Sequence, residues 1–462
     1  MPEKYLKMIL NSPVYDVAHE TPLDRAPRLS DKLENNVFIK REDLQPVFSF
    51  KIRGAYNKIV QLSPSEKQRG VIAASAGNHA QGVALAAERL RIKATIVMPE
   101  TTPEIKIDGV KKFGAKVILH GDDFSTAFAK AQEIANENSL VFIPPFDDPF
   151  VIAGQGTIAL ELLRQYTKNI HAIFIPIGGG GLIAGIGSYI KMVRPEIKII
   201  GVESDESASM YASIKKGRRI TLKNVGIFAD GVAVAQVGKE PFRLAKKVVD
   251  EIVLADVDQI CAAVKDLFED TRAIAEPSGA LAVAGMKNYI RDNKISGKTL
   301  IAINCGANVS FDRLRHISER ANYSEAREAL FAVTIPEKKG SFLAFCKVLG
   351  KRSITEFNYR YSSSKEAHIF VGLALTEGKP ERLKIQETFK HHGYETEDLT
   401  ENDMAKLHIR HMVGGRLNSN EVERIYRFEF PERPGALLNF LNRMGQKWNI
   451  SLFHYRNHGS AF

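Results

Sequence analysis

Short apolar runs alternate with amphipathic stretches between about Asn36 and Asn308. Runs that are apolar on both faces and separated by helical stretches are typical of mainly parallel sheets covered on both sides by helices. Ligands of such sheets bind beyond the carboxyl ends of the strands. The pattern therefore predicts an α/β fold. The predicted strands are Val37–Lys40, Val71–Ser75, Ala94–Met98, Lys116–His120, Val141–Pro144, Ile173–Ile177, Ile197–Glu203, Ile252–Ala255 and Thr299–Asn304.

The pattern changes after about Arg327, where an internal repeat begins. Pro336 and Gly340 of the first copy correspond to Pro431 and Gly435 of the second. Each copy has the strand, helix, strand order of a small α+β unit, and such a repeat indicates duplicated structure. A module that serves only for oligomerisation is the alternative interpretation.

The two copies are unequal. The first continues through a strand, a helix and a closing strand, whereas the second reaches Phe462 soon after Arg456. We expect the second copy to be truncated, with an open sheet edge unless something covers it. The predicted segments are an α/β region over 1–327 with two interleaved subdomains, a first α+β subdomain over 328–403, a connector over 404–423 and the second subdomain over 424–462.

Composition narrows the class of protein. The chain has 462 residues, long enough for two or three domains, with 44% hydrophobic and 26% charged residues. It has no run of membrane-spanning length, no signal-peptide core and three widely spaced cysteines, so we expect a cytoplasmic protein. The net charge of +10 comes from dispersed residues without a nucleic-acid-binding motif, so solvated surface is the favoured interpretation.

Lys51 is the first chemical candidate. It lies in the segment SFKIRG, beside Phe50 and at the start of a helical pattern. Apolar surroundings disfavour an ammonium, so the pKa falls and the free amine becomes a nucleophile suited to an aldehyde cofactor. A surface lysine near a helix start is the alternative.

Two further motifs follow predicted strands and precede helical patterns. In the first, Ser75, Ala76, Gly77, Asn78 and His79 would expose N–H groups that bind an anion such as a substrate carboxylate. A simple turn capped by Asn78 is the alternative.

In the second motif, Gly178, Gly179, Gly180 and Gly181 precede Leu182. Four glycines leave N–H groups free to surround a phosphate. The spacing fits neither a dinucleotide fingerprint nor a nucleotide P-loop, so a single phosphate group is predicted. A flexible surface turn is the alternative.

The last predicted strand ends at Asn304, which is followed by Cys305. A thiol there is a neutral hydrogen-bonding group for a cofactor ring nitrogen. A buried structural cysteine is the alternative interpretation.

These motifs, together with the Glu276-Pro277-Ser278-Gly279 turn, occur in the order found in fold-type II pyridoxal-phosphate enzymes. The chain closely resembles the threonine deaminase family among them, including PPFD from Pro144 and IAGQGT from Ile152. The resemblance extends from about residue 5 to the last residue, and the repeated tail is similar to the ACT-like regulatory domains of this family.

The resemblance implies the deamination of L-threonine to 2-oxobutanoate and ammonia, the first step of isoleucine biosynthesis, with L-serine as a poorer substrate. It implies inhibition by isoleucine, counteracted by valine, and a homotetramer. The nearest alternatives are a serine dehydratase, a racemase or a cysteine synthase, against which the repeated tail argues. An amino-acid-sensing protein without activity is a further alternative, against which Lys51 and the glycines argue.

The resemblance also implies roles for individual residues. Lys51 would hold the pyridoxal phosphate and take the α-proton, and Gly178 to Gly181 with Leu182 would bind the phosphate. Phe50 would lie against a ring face, Asn78 would contact the ring hydroxyl, and Ser75 to His79 would receive the substrate carboxylate. Cys305 would take the ring-nitrogen position, where the family more often has serine. Glu203 is a weak candidate for a cation ligand, with a plain strand-end carboxylate as the alternative. No other metal site is expected.

Overall fold

The computed structural model divides the chain into two compact units, the first running to Ile317 and the second beginning at Ser318. It describes residues 2–324, 328–336, 344–345, 348–349, 352, 354–361, 366–375, 378–400, 402 and 426. The helices of the described residues are α1 (Pro2–Leu10), α2 (Pro27–Lys32), α3 (Lys51–Val60), α4 (Pro64–Arg69), α5 (Asn78–Leu90), α6 (Glu104–Lys111), α7 (Phe124–Glu137), α8 (Pro149–Gln165), α9 (Gly181–Val193), α10 (Ser209–Lys216), α11 (Lys239–Val248), α12 (Val257–Thr271), α13 (Pro277–Asn293), α14 (Phe311–Ser324) and α15 (Lys379–His391).

The strands form three sheets, two in the first unit and one in the second. The strands of the described residues are β1 (Leu23–Arg25), β2 (Asn36–Arg41), β3 (Val71–Ala74), β4 (Ala94–Met98), β5 (Lys116–Leu119), β6 (Val141–Phe142), β7 (Ala172–Pro176), β8 (Lys198–Ser204), β9 (Glu251–Ala255), β10 (Thr299–Asn304), β11 (Glu328–Pro336), β12 (Ile354–Tyr361), β13 (Glu366–Ala374) and β14 (Glu395–Asp398).

The larger sheet has six strands in the order β1-β2-β10-β7-β8-β9, parallel except for β1. Helices cover both faces. Ile173 and Ile175 of β7 belong to a core shared with α8 and α9, whereas Phe174 contacts Tyr289 of α13 with ring centroids 5.3 Å apart. Strands buried on both faces explain why their sequences read as continuous apolar runs. We call this sheet and its helices the six-stranded lobe.

The smaller sheet has the order β5-β4-β3-β6, with all strands parallel. Its strands come from one continuous stretch of chain, and α5 and α7 pack on opposite faces. Ala73 and Ile96 lie in a core with α5, and Ile72 and Val97 lie in a core with α7. This sheet with α4 to α7 is called the four-stranded lobe.

All nine predicted strands are present, which confirms the predicted α/β class for the first unit. The bounds of β4 and β10 are as predicted, and the ends of the others differ by at most two residues, most at β6, which stops at Phe142 before Pro144. A proline lacks the N–H group needed for the ladder. The sequence pattern missed β1, a three-residue antiparallel edge strand without an apolar run.

Helix α3 begins at Lys51, between the cores of the two lobes. Phe50 packs in the core of the six-stranded lobe, and Ile52 packs in the core of the four-stranded lobe. Two glycines allow neighbouring helices to approach closely. A Cβ on Gly82 of α5 would lie 3.1 Å from the Lys51 carbonyl carbon, and one on Gly154 of α8 would lie 2.6 Å from the Arg53 oxygen. These contacts fix the start of α3.

A buried ionic cluster holds the same helix. The Arg53 Nε and Nη2 atoms each donate to Glu42 at 2.8 Å, and Nη1 pairs with Glu161 of α8. Lys40 Nζ lies 2.6 Å from the other Glu161 oxygen. The side chains in these pairs are fully buried, so loss of one partner would cost about 3–5 kcal/mol. The cluster therefore anchors α3 to β2 and α8.

The second unit contains an antiparallel sheet in the order β12-β13-β11-β14, with α15 preceding β14. Phe331, Phe345 and Phe389 form its core. This arrangement agrees with the predicted first α+β copy. The predicted connector and second copy lie outside the described residues apart from residue 426.

No helix among the described residues is long and apolar enough to cross a membrane.

Candidate active site

Lys51 projects into a cleft at the carboxyl ends of the strands. Its Nζ lies 3.3 Å from the carbonyl oxygen of Pro145 and 5.2 Å from the centre of the Phe50 ring. Burial lowers the pKa of Lys51 to about 8, although Cys305 and Glu276 act in the opposite direction. At neutral pH a useful fraction of this amine is therefore unprotonated.

The four glycines form the turn between β7 and α9, opposite Lys51. A Cβ on Gly178 would lie 2.9 Å from the Val232 Cα, and one on Gly179 would overlap the Phe146 ring. Gly180 has a φ of 90°, which favours glycine. The turn thus presents backbone rather than side chains to the cleft, at the N-terminus of a helix where an anion is favoured. Leu182 also lines the cleft.

Asn78 begins α5 and takes part in a chain of hydrogen bonds. Its Nδ2 donates to Glu276 Oε1 at 2.6 Å, and its Oδ1 accepts from Asn308 Nδ2 at 2.6 Å. Glu276 is only 3% exposed. The Asn78 amide therefore has a defined orientation at the edge of the cleft.

The other residues of the predicted carboxylate loop do not line the cleft. Ser75 Oγ accepts from the Gly77 N–H at 3.2 Å. His79 is buried with Nε2 2.8 Å from the Ile143 oxygen, and burial, with the Lys51 charge, lowers its pKa to about 3. The His79 side chain is thus neutral and occupied elsewhere, so binding by this loop would have to use its backbone.

Cys305 follows β10 at the back of the cleft and is 3% exposed. Its thiol donates to the backbone carbonyl oxygen of Ser278 at 3.3 Å, and burial raises the pKa of the thiol well above the ordinary value. The thiol is therefore protonated and neutral. The nearby Ser278 hydroxyl is buried without a hydrogen-bond partner among the described residues. Such an unsatisfied group is expected where a ligand supplies the partner.

Glu203 has a different environment from these residues. Its Oε1 accepts from the Met210 N–H at 2.8 Å and its Oε2 from the Tyr211 N–H at 2.7 Å, so the carboxyl caps α10. Burial raises its pKa to about 7, although the two N–H groups lower it. In the described part of the chain, no cluster of three His, Cys, Asp or Glu side chains could hold a metal ion. The cation-ligand hypothesis for Glu203 remains a prediction.

The structure thus brings Lys51, Phe50, Asn78, the glycines, Leu182 and Cys305 into one cleft. Sequence reasoning assigned no role to other cleft residues, among them Glu276, Phe146 and Gln155. Each lies in a segment that carried the resemblance, but local sequence did not show that their side chains converge.

Ion pairs also connect the two lobes near the cleft. Lys106 Nζ of α6 lies 2.7 Å from Asp230, whose other oxygen is 3.5 Å from Arg313. Burial alone would raise the pKa of Asp230, but Lys106 and Arg313 together hold it below its usual range. Asp230 is therefore ionised, and it precedes Gly231 and Val232, which line the cleft.

Comparison with known proteins identifies similar chains. A family described as "Pyridoxal-phosphate dependent enzyme" matches residues 14–306, and "C-terminal regulatory domain of Threonine dehydratase" matches residues 319–409 and 414–461. L-threonine dehydratase biosynthetic IlvA of Burkholderia multivorans is 55% identical over 99% of this chain and 91% of that protein. The Escherichia coli protein of the same name is 54% identical over 99% and 89%.

Solved structures are similar to about two thirds of the chain. The processed form of threonine deaminase isoform 2 from Solanum lycopersicum has a TM-score of 0.68 and 53% identity, covering 69% of this chain and 93% of that one. Maize serine racemase has a TM-score of 0.64 and 30% identity, covering 67% and 95%. The same fold therefore occurs in a protein described as a threonine deaminase and in one described as a serine racemase.

Proposed function

The chain belongs to the biosynthetic threonine dehydratases, a family of pyridoxal-phosphate-dependent enzymes, and from this premise we propose how its cleft acts. The enzyme removes the β-hydroxyl group of L-threonine as water, and a water molecule then replaces the nitrogen, so that 2-oxobutanoate and ammonia are released in isoleucine biosynthesis. The observation that carries the proposal is the convergence of Lys51, the four glycines and Cys305 on one cleft.

The cleft fits pyridoxal phosphate. A glycine turn with no room for side chains at Gly178 and Gly179 suits a phosphate. The N–H groups from Gly178 to Leu182 would bind the phosphate at the start of α9. Phe50 would pack against the ring, and the neutral Cys305 thiol would face its nitrogen.

Lys51 would carry the cofactor and then move the substrate proton. When bound, pyridoxal phosphate supplies an electron sink for the pair left at the substrate α-carbon. Once displaced by the substrate amine, Lys51 Nζ would accept the α-proton, because burial keeps its pKa near neutral pH. The N–H groups at the start of α5, between Ser75 and His79, would receive the substrate carboxylate.

The test is the formation of 2-oxobutanoate from L-threonine, with L-serine as a poorer substrate. Lys51→Ala should abolish turnover while the melting temperature stays close to that of the unchanged protein. Lys130→Ala, at a partly exposed lysine of α7, is the matched control and should retain full activity. Near-normal turnover by Lys51→Ala would exclude the proposed mechanism.

Finer properties are also part of the proposal. We propose that isoleucine inhibits through the second unit and that valine counteracts it, which the match to a threonine dehydratase regulatory domain supports. We further propose a cytoplasmic homotetramer. The proposed segments are catalytic over 1–327, with ACT-like subdomains over 328–403 and 424–462 joined by 404–423.

A further inference from the structure

Glu276 occupies an unusual position for a carboxylate. It immediately precedes α13, at the position where the short side chains of Ser, Thr, Asp or Asn commonly accept hydrogen bonds from the first N–H groups of a helix. Here the side chain makes no such bond. Its backbone is fixed, since its N–H donates to the Gly306 oxygen at 3.1 Å and its carbonyl accepts from the Gly279 N–H at 2.8 Å. The carboxyl is thus turned away from its helix and lines the cleft.

Within the cleft the carboxyl contacts the Asn78 amide, whose orientation is set from both sides. Asn308 Nδ2 donates to the Val47 carbonyl at 2.8 Å and to Asn78 Oδ1. A carbonyl can only accept, so Asn308 presents its nitrogen and Asn78 must present its oxygen to it. The Asn78 nitrogen then faces Glu276, and its second N–H remains for a ligand.

The carboxyl has little freedom to move. A Cβ on Gly306 would lie 2.6 Å from Glu276 Oε1, and one on Gly231 would lie 3.4 Å from it. Burial and then the Asp230 charge raise its pKa to about 7, whereas hydrogen bonds from Asn78 and the Asn308 backbone and the Lys106 charge lower it.

Lys51 and Cys305 also interact electrostatically with Glu276. The carboxyl group is therefore held in one place, where it accepts a hydrogen bond from Asn78 and lies near charged groups of both lobes.

We propose that Glu276 is a positioning residue that acts through Asn78, holding its amide so that one N–H faces the bound cofactor. This inference rests on the proposed function, which places Asn78 beside pyridoxal phosphate. Without the carboxyl, the Asn78 nitrogen loses its partner and its side chain is held from one side only. Cofactor affinity should therefore depend on Glu276 only while Asn78 is present.

The test is a double-mutant cycle on the full-length apoenzyme, with the dissociation constant of pyridoxal phosphate as the readout. Glu276→Ala should raise this constant about tenfold or more, as expected when a partly buried N–H of Asn78 loses its acceptor. In an Asn78→Ala background the same change should have less than about a twofold effect. Glu276→Gln keeps an acceptor oxygen and should restore affinity to within about threefold.

Asp256→Asn is the matched control, because Asp256 precedes α12 and does cap its helix, accepting from the Gln259 N–H at 2.8 Å. It should leave cofactor affinity unchanged. If Glu276→Ala fails to fold, Glu276→Met, which keeps the side-chain length, replaces it in the cycle.

Equal effects of Glu276→Ala with and without Asn78, or no effect at all, would overturn the inference. Failure of the unchanged enzyme to form 2-oxobutanoate would instead overturn the proposed function, because the cycle does not depend on the substrate.

Discussion

At the scale of single residues, the surroundings of Lys51 decide its protonation state. Its amine contacts one carbonyl oxygen and an aromatic ring. Water would solvate the charged form far better than these groups do, so the neutral amine is favoured. The nearby Glu276 and Cys305 reduce this effect without cancelling it.

We expect this shift to be measurable as chemical reactivity in the apoenzyme. Trace labelling with acetic anhydride across pH 6–11, read by peptide mass spectrometry, should give Lys51 a half-maximal reactivity near pH 8. Lys130 is the internal control, since its hydrogen bond to Glu133 raises its pKa. A Lys51 midpoint at or above about pH 10, the ordinary lysine range, would contradict the burial argument.

Cys305 provides a second prediction at this scale. Cys305→Ser keeps a neutral donor for the Ser278 oxygen and should change kcat and cofactor affinity by less than about threefold. Cys305→Asp would bury a second carboxyl near Glu276, so both quantities should fall by about 10- to 100-fold. Steady-state kinetics and cofactor titration provide the measurements. Equal behaviour of the two variants would exclude Cys305 from the proposed role opposite the ring nitrogen.

The sequence identified most cleft residues because the Asn78, glycine and Cys305 motifs each follow an apolar strand, and because Lys51 begins a helical pattern beside Phe50. It could not reveal that Asn78 pairs with Glu276, since these residues come from different lobes and the contact depends on how the lobes pack. His79 shows the same limit, because its motif gave no sign that the ring turns away toward Ile143.

At the scale of elements, glycines set how closely neighbouring segments approach. Gly82 and Gly154 allow α5 and α8 to contact the backbone of α3, and Gly179 lies against Phe146. The apolar runs predicted the strands well, because burial on both faces leaves a clear signal. The short strand β1 left no such signal in the sequence, because it is defined by its pairing with β2 and not by an apolar run.

The contact between Gly179 and Phe146 gives a prediction with a built-in rescue. Gly179→Ala should weaken pyridoxal phosphate binding about tenfold or more, because its methyl group would overlap the ring and displace the turn. Adding Phe146→Ala removes the obstacle and should recover part of the loss in a cofactor titration. Gly114→Ala, at a positive-φ glycine with open space around it, is the control and should affect only stability. The idea fails if the double variant binds no better than Gly179→Ala.

At the scale of the whole molecule, chemistry and regulation are assigned to different units. The cleft residues all belong to the first unit, and the second has its own sheet and core. Regulation across such a division requires an effector that binds two states unequally, with a coupling typically of about 1–3 kcal/mol.

We therefore expect a fragment of residues 1–324 to deaminate L-threonine without responding to isoleucine. In the full chain, isoleucine should change the apparent threonine affinity by about 5- to 150-fold. Initial rates over an isoleucine titration, with valine added in a parallel series, compare the two proteins. Inhibition of the fragment with the same midpoint as the full chain would locate the effector site in the first unit.

The strand order of the six-stranded sheet has a consequence for the timing of synthesis. Strand β2 lies between β1 and β10, so its parallel neighbour is made only when the ribosome reaches Asn304. At about 5–20 residues per second, β2 must wait roughly 10–50 s for that neighbour. The four-stranded sheet, from Val71 to Phe142, is complete much earlier. Nascent chains should therefore carry one finished lobe while the apolar strand β2 still has only β1 as a neighbour and its β10 side is exposed, which makes this interval the period when chaperone protection matters most.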